Sequence, residues 1–365
     1  MADLYAVIMA GGRGERFWPL STDTLPKPFI PLLGSHSLIQ DTVDRIRSIV
    51  PIEKIYISIG ATHHETAKQQ LPQIPEENFI VEPVGRDTSA CLGFCALHIE
   101  KQDPEGLMLA LPADHFIRDA EAFRSSIQAG VKNLEDATGI VFGIQPERPE
   151  TGYGYILVEK PTASTDFLPV VRFIEKPDAP TAAQYLSDGN YFWNSGMFLW
   201  RNQTLLDLFR EYMPDLYEGL SKLRPLVGDK GSDREIAGIF SNLPRISIDF
   251  GIMEKTSGLR LIPANFGWDD NGTWASLGRA LPVAGGRQRA NGLHRAGRPG
   301  LRRHDRDPGN RCSQGSRSGG QLPHRRPYRP AFPKRNVDTR RDVDATDLGR
   351  LVWRGTDHDG QPSPG

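Results

Sequence analysis

Apolar residues arrive in short continuous runs through the first part of the chain, separated by more polar, helix-like stretches. Runs at 4–10 (LYAVIMA), 54–60 (KIYISIG), 78–83 (NFIVEP), 106–114 (GLMLALPAD) and 139–144 (GIVFGI) have strand length. Between them the pattern predicts helices over about 62–71, over SACLGFCALHIEK and over about 120–134, the second capped by Asp87 or Thr88. Strands that are apolar throughout need both faces covered, and alternation with helices supplies the cover. This predicts a buried, mainly parallel sheet.

After residue 150 the rhythm changes. GYGYILVEK and VVRFIEKP read as paired strands, and the aromatic run YFWNSGMFLW feeds a helix over about 203–212. A further helical stretch follows at about 215–223, and then ISIDFGIMEK and LRLIPANFGW return the chain to the sheet. The expected fold is α/β, a Rossmann-like, mainly parallel mixed sheet flanked by helices. It occupies one domain over 1–282, with a substrate-binding lobe at about 150–262.

Composition divides the chain again. Residues 287–365 hold 17 Arg, one Lys, eight Asp and no Glu, a net charge of +10. The preceding residues keep 26 of the 44 basic and 37 of the 45 acidic groups, net −11. The segment 283–365 is rich in Arg, Gly and Pro and shows no sustained period, so it is expected to be a disordered tail or a frameshifted reading. The acidic body has no basic stripe of the kind a nucleic-acid binder carries. The start has no signal-peptide pattern and no apolar run reaches 18 residues, which predicts a cytoplasmic protein that does not span a membrane. Cys91 and Cys95 stand four apart and read as small buried side chains. His63, His64 and His115 lack zinc spacing.

The candidate chemistry begins where the first strand ends. GGRGERFWPL follows it, then LPKPF: Gly11, Gly12 and Gly14 beside Arg13 and Arg16, with Lys27 further on. Glycines let the backbone approach an anion, and several cations can share the charge of a polyphosphate. The stretch is neither a Walker loop nor a dinucleotide fingerprint. Arg16 and Lys27 are placed to neutralise the phosphates that leave together as pyrophosphate; the alternative is a Gly-rich turn with solvated cations. Asp114 ends a strand, where a carboxylate suits Mg²⁺, and Asp269 or Asp270 in FGWDDNGTW can supply a second acidic ligand. Lys176 and Lys255 both follow apolar strands in Glu-Lys pairs, and either can hold a sugar phosphate. Asn194 can read sugar hydroxyls.

Taken together these segments resemble the sugar-phosphate nucleotidylyltransferase family, and within it the mannose-1-phosphate guanylyltransferases. The resemblance runs from GGRGERFWPL and Pro26-Lys27 through VEPVGRDTSA, LPADH, GYGYI, FIEKP, WNSGMF and SIDFGIMEK to GWDDNGTW. It implies the nucleotide-diphospho-sugar transferase type of fold and the reaction of GTP with α-D-mannose 1-phosphate to give GDP-mannose and pyrophosphate. It implies Arg16 and Lys27 on the triphosphate, with Glu82, Arg86, Asp87 and Thr88 near base and ribose. It further implies Asp114 and Asp270 on Mg²⁺, Gly154 and Tyr155 in the sugar wall, Glu175 and Asn194 on mannose hydroxyls, Lys176 on its phosphate, and Asp249 on the substrate side. A uridylyl- or thymidylyltransferase acting on glucose 1-phosphate stays open, as does a non-catalytic sugar-nucleotide sensor. A homodimer is the assembly to test; the tail matches no carboxyl region of the family.

Overall fold

The early apolar runs do form strands. The computed structural model describes residues 2–11, 17–18, 20–32, 34–160, 167–272 and 278. The chain passes through β1 (Leu4–Met9), α1 (Leu38–Ile46), β2 (Ile55–Gly60), α2 (His64–Gln70), β3 (Phe79–Glu82) and α3 (Asp87–Gln102). It continues through β4 (Leu107–Pro112), β5 (Phe116–Ile117), α4 (Ala120–Asn133), β6 (Gly139–Ile144), β7 (Tyr155–Val158) and β8 (Leu168–Ile174). Then come α5 (Ala179–Asp188), β9 (Tyr191–Arg201), α6 (Asn202–Tyr212), α7 (Pro214–Leu223), α8 (Asp233–Phe240), β10 (Leu259–Ala264) and β11 (Trp268–Asp269). The expected tail, 283–365, lies outside the described residues.

Nine strands make one sheet in the order β3-β2-β1-β4-β9-β6-β10-β8-β7, and β11 pairs with β5 in a small ribbon. The half made by β3, β2, β1 and β4 is parallel throughout. β9 enters antiparallel between β4 and β6, and β10 is parallel to β6. Strands from the 150–262 region therefore extend the same sheet. Each face is covered: α3, α6 and α7 pack one apolar cluster against it, and α1 and α4 pack the other. Met108, Phe198 and Trp200 face the first cluster; Leu109, Phe142 and Leu199 face the second. The alternation along β9 follows from its period of two.

Several local expectations change. The helix at 62–71 is a 3-10 turn, Ala61–His63, followed by the short α2. Neither Asp87 nor Thr88 caps α3: the cap position is Arg86, and Asp87 is the first helical residue with a left-handed φ of 67°. β4 stops at Pro112, so Asp114 sits in the turn beyond it. ISIDFGIMEK is not a strand, because residues Asp249–Met253 wind into one wide π turn. α1 went unread in the sequence although Ser37 and Gln40 form a capping box, with Ser37 N donating to Gln40 Oε1 at 2.9 Å. No helix among the described residues is long and apolar enough to cross a membrane.

Glycines on β6 let β9 and β10 close in. A Cβ at Gly139 would meet Trp200 Cδ1 at 2.4 Å, and the Trp200 ring is wholly buried. Gly139→Ala is therefore expected to destabilise the fold by about 1–3 kcal/mol. Urea unfolding checks it: the midpoint should fall while the denaturant slope stays unchanged.

Candidate active site

Parallel strands deliver their carboxyl ends to one edge, where ligands collect. Gly11 follows β1, Glu82 ends β3, and Asp114 follows β4. β9 runs the other way, so its beginning reaches the same edge, and Asn194 lies opposite Gly143. Three groups of side chains gather there.

The first group centres on Lys27. It sits in a 3-10 turn, Lys27–Phe29, between Pro26 and Pro28, and is 4% exposed. Its Nζ donates to Asp114 Oδ2 at 2.7 Å and to the main-chain oxygen of Asp270 at 2.7 Å. The ammonium also stands 5.5 Å from the centre of the Phe17 ring. Burial pushes the Asp114 carboxyl up, but Lys27, His115 and the hydrogen bonds outweigh it and hold the group below 3.8. Burial pushes the His115 imidazole down to about 4, so it is neutral, and its Nδ1 accepts from Trp268 Nε1 at 3.1 Å. Asp270 Oδ1 accepts from the Tyr153 hydroxyl at 2.7 Å and from Gly272 N at 2.8 Å.

Among the described residues no group of three or more His, Cys, Asp and Glu forms a metal cage. The donors around Lys27 nevertheless fit Mg²⁺, which takes one or two carboxylates and completes its shell with phosphate oxygens and water. Asp114 and Asp270 present only hard oxygens, and a buried cation already lies against both residues. Asp269 does not join them. Its strand pairs with β5, and its Oδ1 accepts from Asn271 N at 2.9 Å.

The second group is built on β7, β8 and β9. Asn194 Nδ2 donates to Asp249 Oδ1 at 2.7 Å, and Asn194 N donates to the Gly154 oxygen at 2.8 Å. A Cβ at Gly154 would come within 2.6 Å of Glu175 Oε2, so only glycine lets that carboxylate lie over the backbone. Lys176 Nζ donates to Glu175 Oε1 at 2.6 Å, from a residue with φ of 45°. Burial, then the Glu175 charge, pushes the Asp249 carboxyl up to about 6 against the pull of Asn194. Tyr155 does not line this hollow. It is wholly buried, and its hydroxyl donates to the Glu150 oxygen at 2.9 Å. Lys255 also lies elsewhere: its Nζ points to the Tyr212 oxygen at 3.5 Å.

The third group lies at the parallel edge. Glu82 is 7% exposed, and its Oε1 accepts from the Ser58 hydroxyl at 2.8 Å. Arg86 Nε is buried and has no hydrogen-bond partner among the described residues. Asp87 Oδ1 accepts from Thr88 N at 2.8 Å, and Thr88 Oγ1 accepts from Ile248 N at 2.8 Å, tying this group to the residue beside Asp249. Gly12, Arg13, Gly14 and Arg16 lie outside the described residues; Gly11 is described and sits next to Glu82.

Tyr153 and Trp268 were not singled out in the sequence. The Tyr153 ring stands edge-on to Trp193 and Trp268, at 5.3 and 5.5 Å between centres, and walls off the Asp270 side. Their signal was present in GYGYI and GWDDNGTW as aromatics beside the glycines and aspartates already chosen.

A family model described as nucleotidyl transferase matches residues 5–283. The xanthan biosynthesis protein XanB of Xanthomonas campestris pv. campestris is 38% identical over 281 residues, 76% of this chain and 59% of that protein. The mannose-1-phosphate guanylyltransferase of Escherichia coli K12 is 38% identical over 282 residues, 75% of this chain and 59% of that protein. The chain thus spans about three-fifths of the length of these curated relatives. A solved Thermus thermophilus protein described as mannose-1-phosphate geranyltransferase is 34% identical, with a TM-score of 0.68 over 76% of this chain and 79% of that one.

Lys27→Met should lift the Asp114 carboxyl from below 3.8 to above it, because burial then acts unopposed by the ammonium. An acid held below its ordinary value adds stability above that value and loses it as pH falls. The stability gap between wild type and variant should therefore be full at neutral pH and close in acid. Carboxyl NMR titration paired with urea unfolding across pH reads both.

Proposed function

The chain belongs to the nucleotidyl transferase family, and on that premise we propose that it transfers GMP from GTP to α-D-mannose 1-phosphate, giving GDP-mannose and pyrophosphate. The observation that carries this is Lys27, buried and bonded at once to Asp114 and to the Asp270 backbone. Such a point serves a reaction between anions. The named activity of the Escherichia coli relative supports the choice of base and sugar.

The reaction asks little covalent chemistry of the protein. A sugar-phosphate oxygen, already ionised, attacks the α-phosphorus of GTP in line. The new P–O bond forms as the bond to the bridging β-oxygen breaks, and pyrophosphate leaves with that electron pair. No general base is needed, so the residues act by positioning and by charge. Lys27 and Arg16 take the leaving phosphates. Lys176 turns the nucleophile toward phosphorus, while Asn194, Glu175 and the Gly154 backbone receive the sugar hydroxyls. Glu82 reads the guanine edge. Arg86 Nε, buried and unpartnered, supplies a donor to the nucleotide with Asp87 and Thr88 beside it. Gly11, Gly12, Arg13 and Gly14 wrap the triphosphate. Tyr153 fixes the Asp270 carboxylate. Asp114 and Asp270 would hold Mg²⁺, which when bound supplies positive charge to the phosphate oxygens. The catalytic unit in this reading is 1–282, with sugar contacts drawn from about 150–262.

Pyrophosphate release from GTP, UTP, dTTP and ATP, each offered with mannose and glucose 1-phosphates, tests the assignment. GTP with mannose 1-phosphate should be fastest; faster turnover of UTP or dTTP with glucose 1-phosphate would replace it with the sister activity. Tight GDP-mannose binding without any release would make the protein a sensor. Asp114→Asn should lower kcat about 10²-fold.

The sugar side should also titrate. Asp249 is charged above about 6 and orients Asn194. Below that pH the neutral carboxyl accepts from the amide more weakly than the carboxylate does. The KM for the sugar phosphate should therefore rise as pH falls through 6, and Asp249→Asn should remove that step from a KM–pH profile.

A further inference from the structure

We propose that Ser58, backed by Cys91, is a positioning residue that fixes both the direction and the charge of the Glu82 carboxylate and so sets the preference for guanine over adenine. The inference rests on the reading of Glu82 as the residue that receives the base.

Three elements meet at this point. Ser58 lies on β2 and is wholly buried; Glu82 closes β3; Cys91 stands on α3 at 5% exposure. The Cys91 thiol donates to Ser58 Oγ at 3.2 Å, and the Ser58 hydroxyl donates to Glu82 Oε1 at 2.8 Å. A hydroxyl has one proton. Ser58 Oγ accepts from the thiol and gives that proton to Glu82, which as a carboxylate can only accept. The chain of donors is thus one-way, and each bond polarises the next. Glu82 Oε2 has no partner among the described residues, which leaves it for a ligand. A Cβ placed on Gly11 would lie 3.9 Å from Oε1, so the loop after β1 borders the carboxylate.

The charge of Glu82 is the difficulty this arrangement meets. Among the described residues no cation contributes to its environment from β1, β2 or α3; the groups acting on it are Ser58 and Cys91, with Cys95 behind Cys91. Burial pushes its carboxyl up, and the bond from Ser58, with Cys91 behind it, opposes that rise. Cys91 is held far above the ordinary thiol range, so it remains a donor. An ionised carboxylate accepts from the N1–H and the 2-amino group of guanine. Adenine offers an acceptor at N1 and no 2-amino group, so it is left with unpaired lone pairs facing one another. A protonated Glu82 would donate to adenine N1 and lose that discrimination. Selectivity then depends on keeping the proton off, and the hydroxyl of Ser58 is the nearest means of doing so.

Two measurements on the full chain separate the parts of the argument. The first is ¹³C carboxyl NMR titration of Glu82, without ligand, in wild type, Ser58→Ala and Ser58→Cys. The second is kcat/KM for GTP and for ATP across pH in the same proteins. Ser58→Ala should raise the Glu82 midpoint by about one pH unit, since a hydrogen bond to a charged group is lost. The acid limb of the GTP profile should move with it, and the GTP/ATP ratio near that midpoint should drop about tenfold. Ser58→Cys keeps a weak donor of similar size and should fall between. An unmoved Glu82 midpoint in Ser58→Ala would overturn the role of Ser58 and leave the base reading standing. A moved midpoint with unchanged GTP and ATP profiles would show that Glu82 does not receive the base, and the inference would fall with that reading.

Discussion

A buried ammonium without anionic company is too costly to keep charged, and Lys27 obtains its company from far along the chain. Asp114 is 87 residues away and Asp270 is 243 away, yet both lie 2.7 Å from Nζ. The loop after β1, the turn after β4 and the chain beyond β11 can therefore meet at only one place. Pro26 and Pro28 narrow the conformations of the chain on either side of Lys27, and the Phe17 ring lies near its ammonium. Much of the cost of gathering these charges is met during folding. In the proposed reaction a triphosphate would then meet a cation already in position, which is what electrostatic preorganisation requires.

The sheet decides what else that point can reach. A purely parallel sheet would bring only strand ends to the edge. By running backwards between β4 and β6, β9 brings its own beginning there, and Asn194 arrives opposite Gly143. β7 pairs with both β8 and β9, which carries Gly154 and Glu175 to the same neighbourhood. The bond from Ile248 N to Thr88 Oγ1 closes the ring, because it joins the start of α3 to the π turn that bears Asp249. The residues proposed to take the nucleotide and those proposed to take the sugar are thus joined through one hydrogen-bonded frame.

What the sequence disclosed follows what its patterns encode. Continuous apolar runs such as LMLALP have no plausible place except a doubly covered strand, so β1, β2, β3, β4 and β6 were legible as strands. The place of β9 within the sheet was not, since strand order is a tertiary choice that no local period records. The π turn at Asp249–Met253 was misread for a related reason: ISIDFGIM carries apolar residues dense enough for a strand, while Thr88 and Ser89 hold its backbone from α3. Within the site, Lys27, Asp114 and Asp270 were recoverable from motif and chemistry together. Tyr153 and Tyr155 were not separable, because Tyr153 precedes β7 and strand alternation does not govern it. Only packing shows that Tyr155 turns its hydroxyl to Glu150 while Tyr153 turns its own to Asp270.

Under the proposed function, a pocket that takes two polyanions and is itself rich in carboxylates has to solve its own repulsion, and the groups solve it differently. Asp114 is paired with an ammonium and stays ionised, as a metal ligand must be. Glu175 has Lys176 at 2.6 Å. Asp249 makes its contact with a neutral amide, and burial beside Glu175 moves it toward the protonated state. Above about 6 it is ionised and orders Asn194. Glu82 lies at the other end of the site, away from these charges, where neutral donors alone oppose its burial. The acidic residues therefore differ in environment as much as in position, and each environment suits the role proposed for it, at the metal, the sugar or the base.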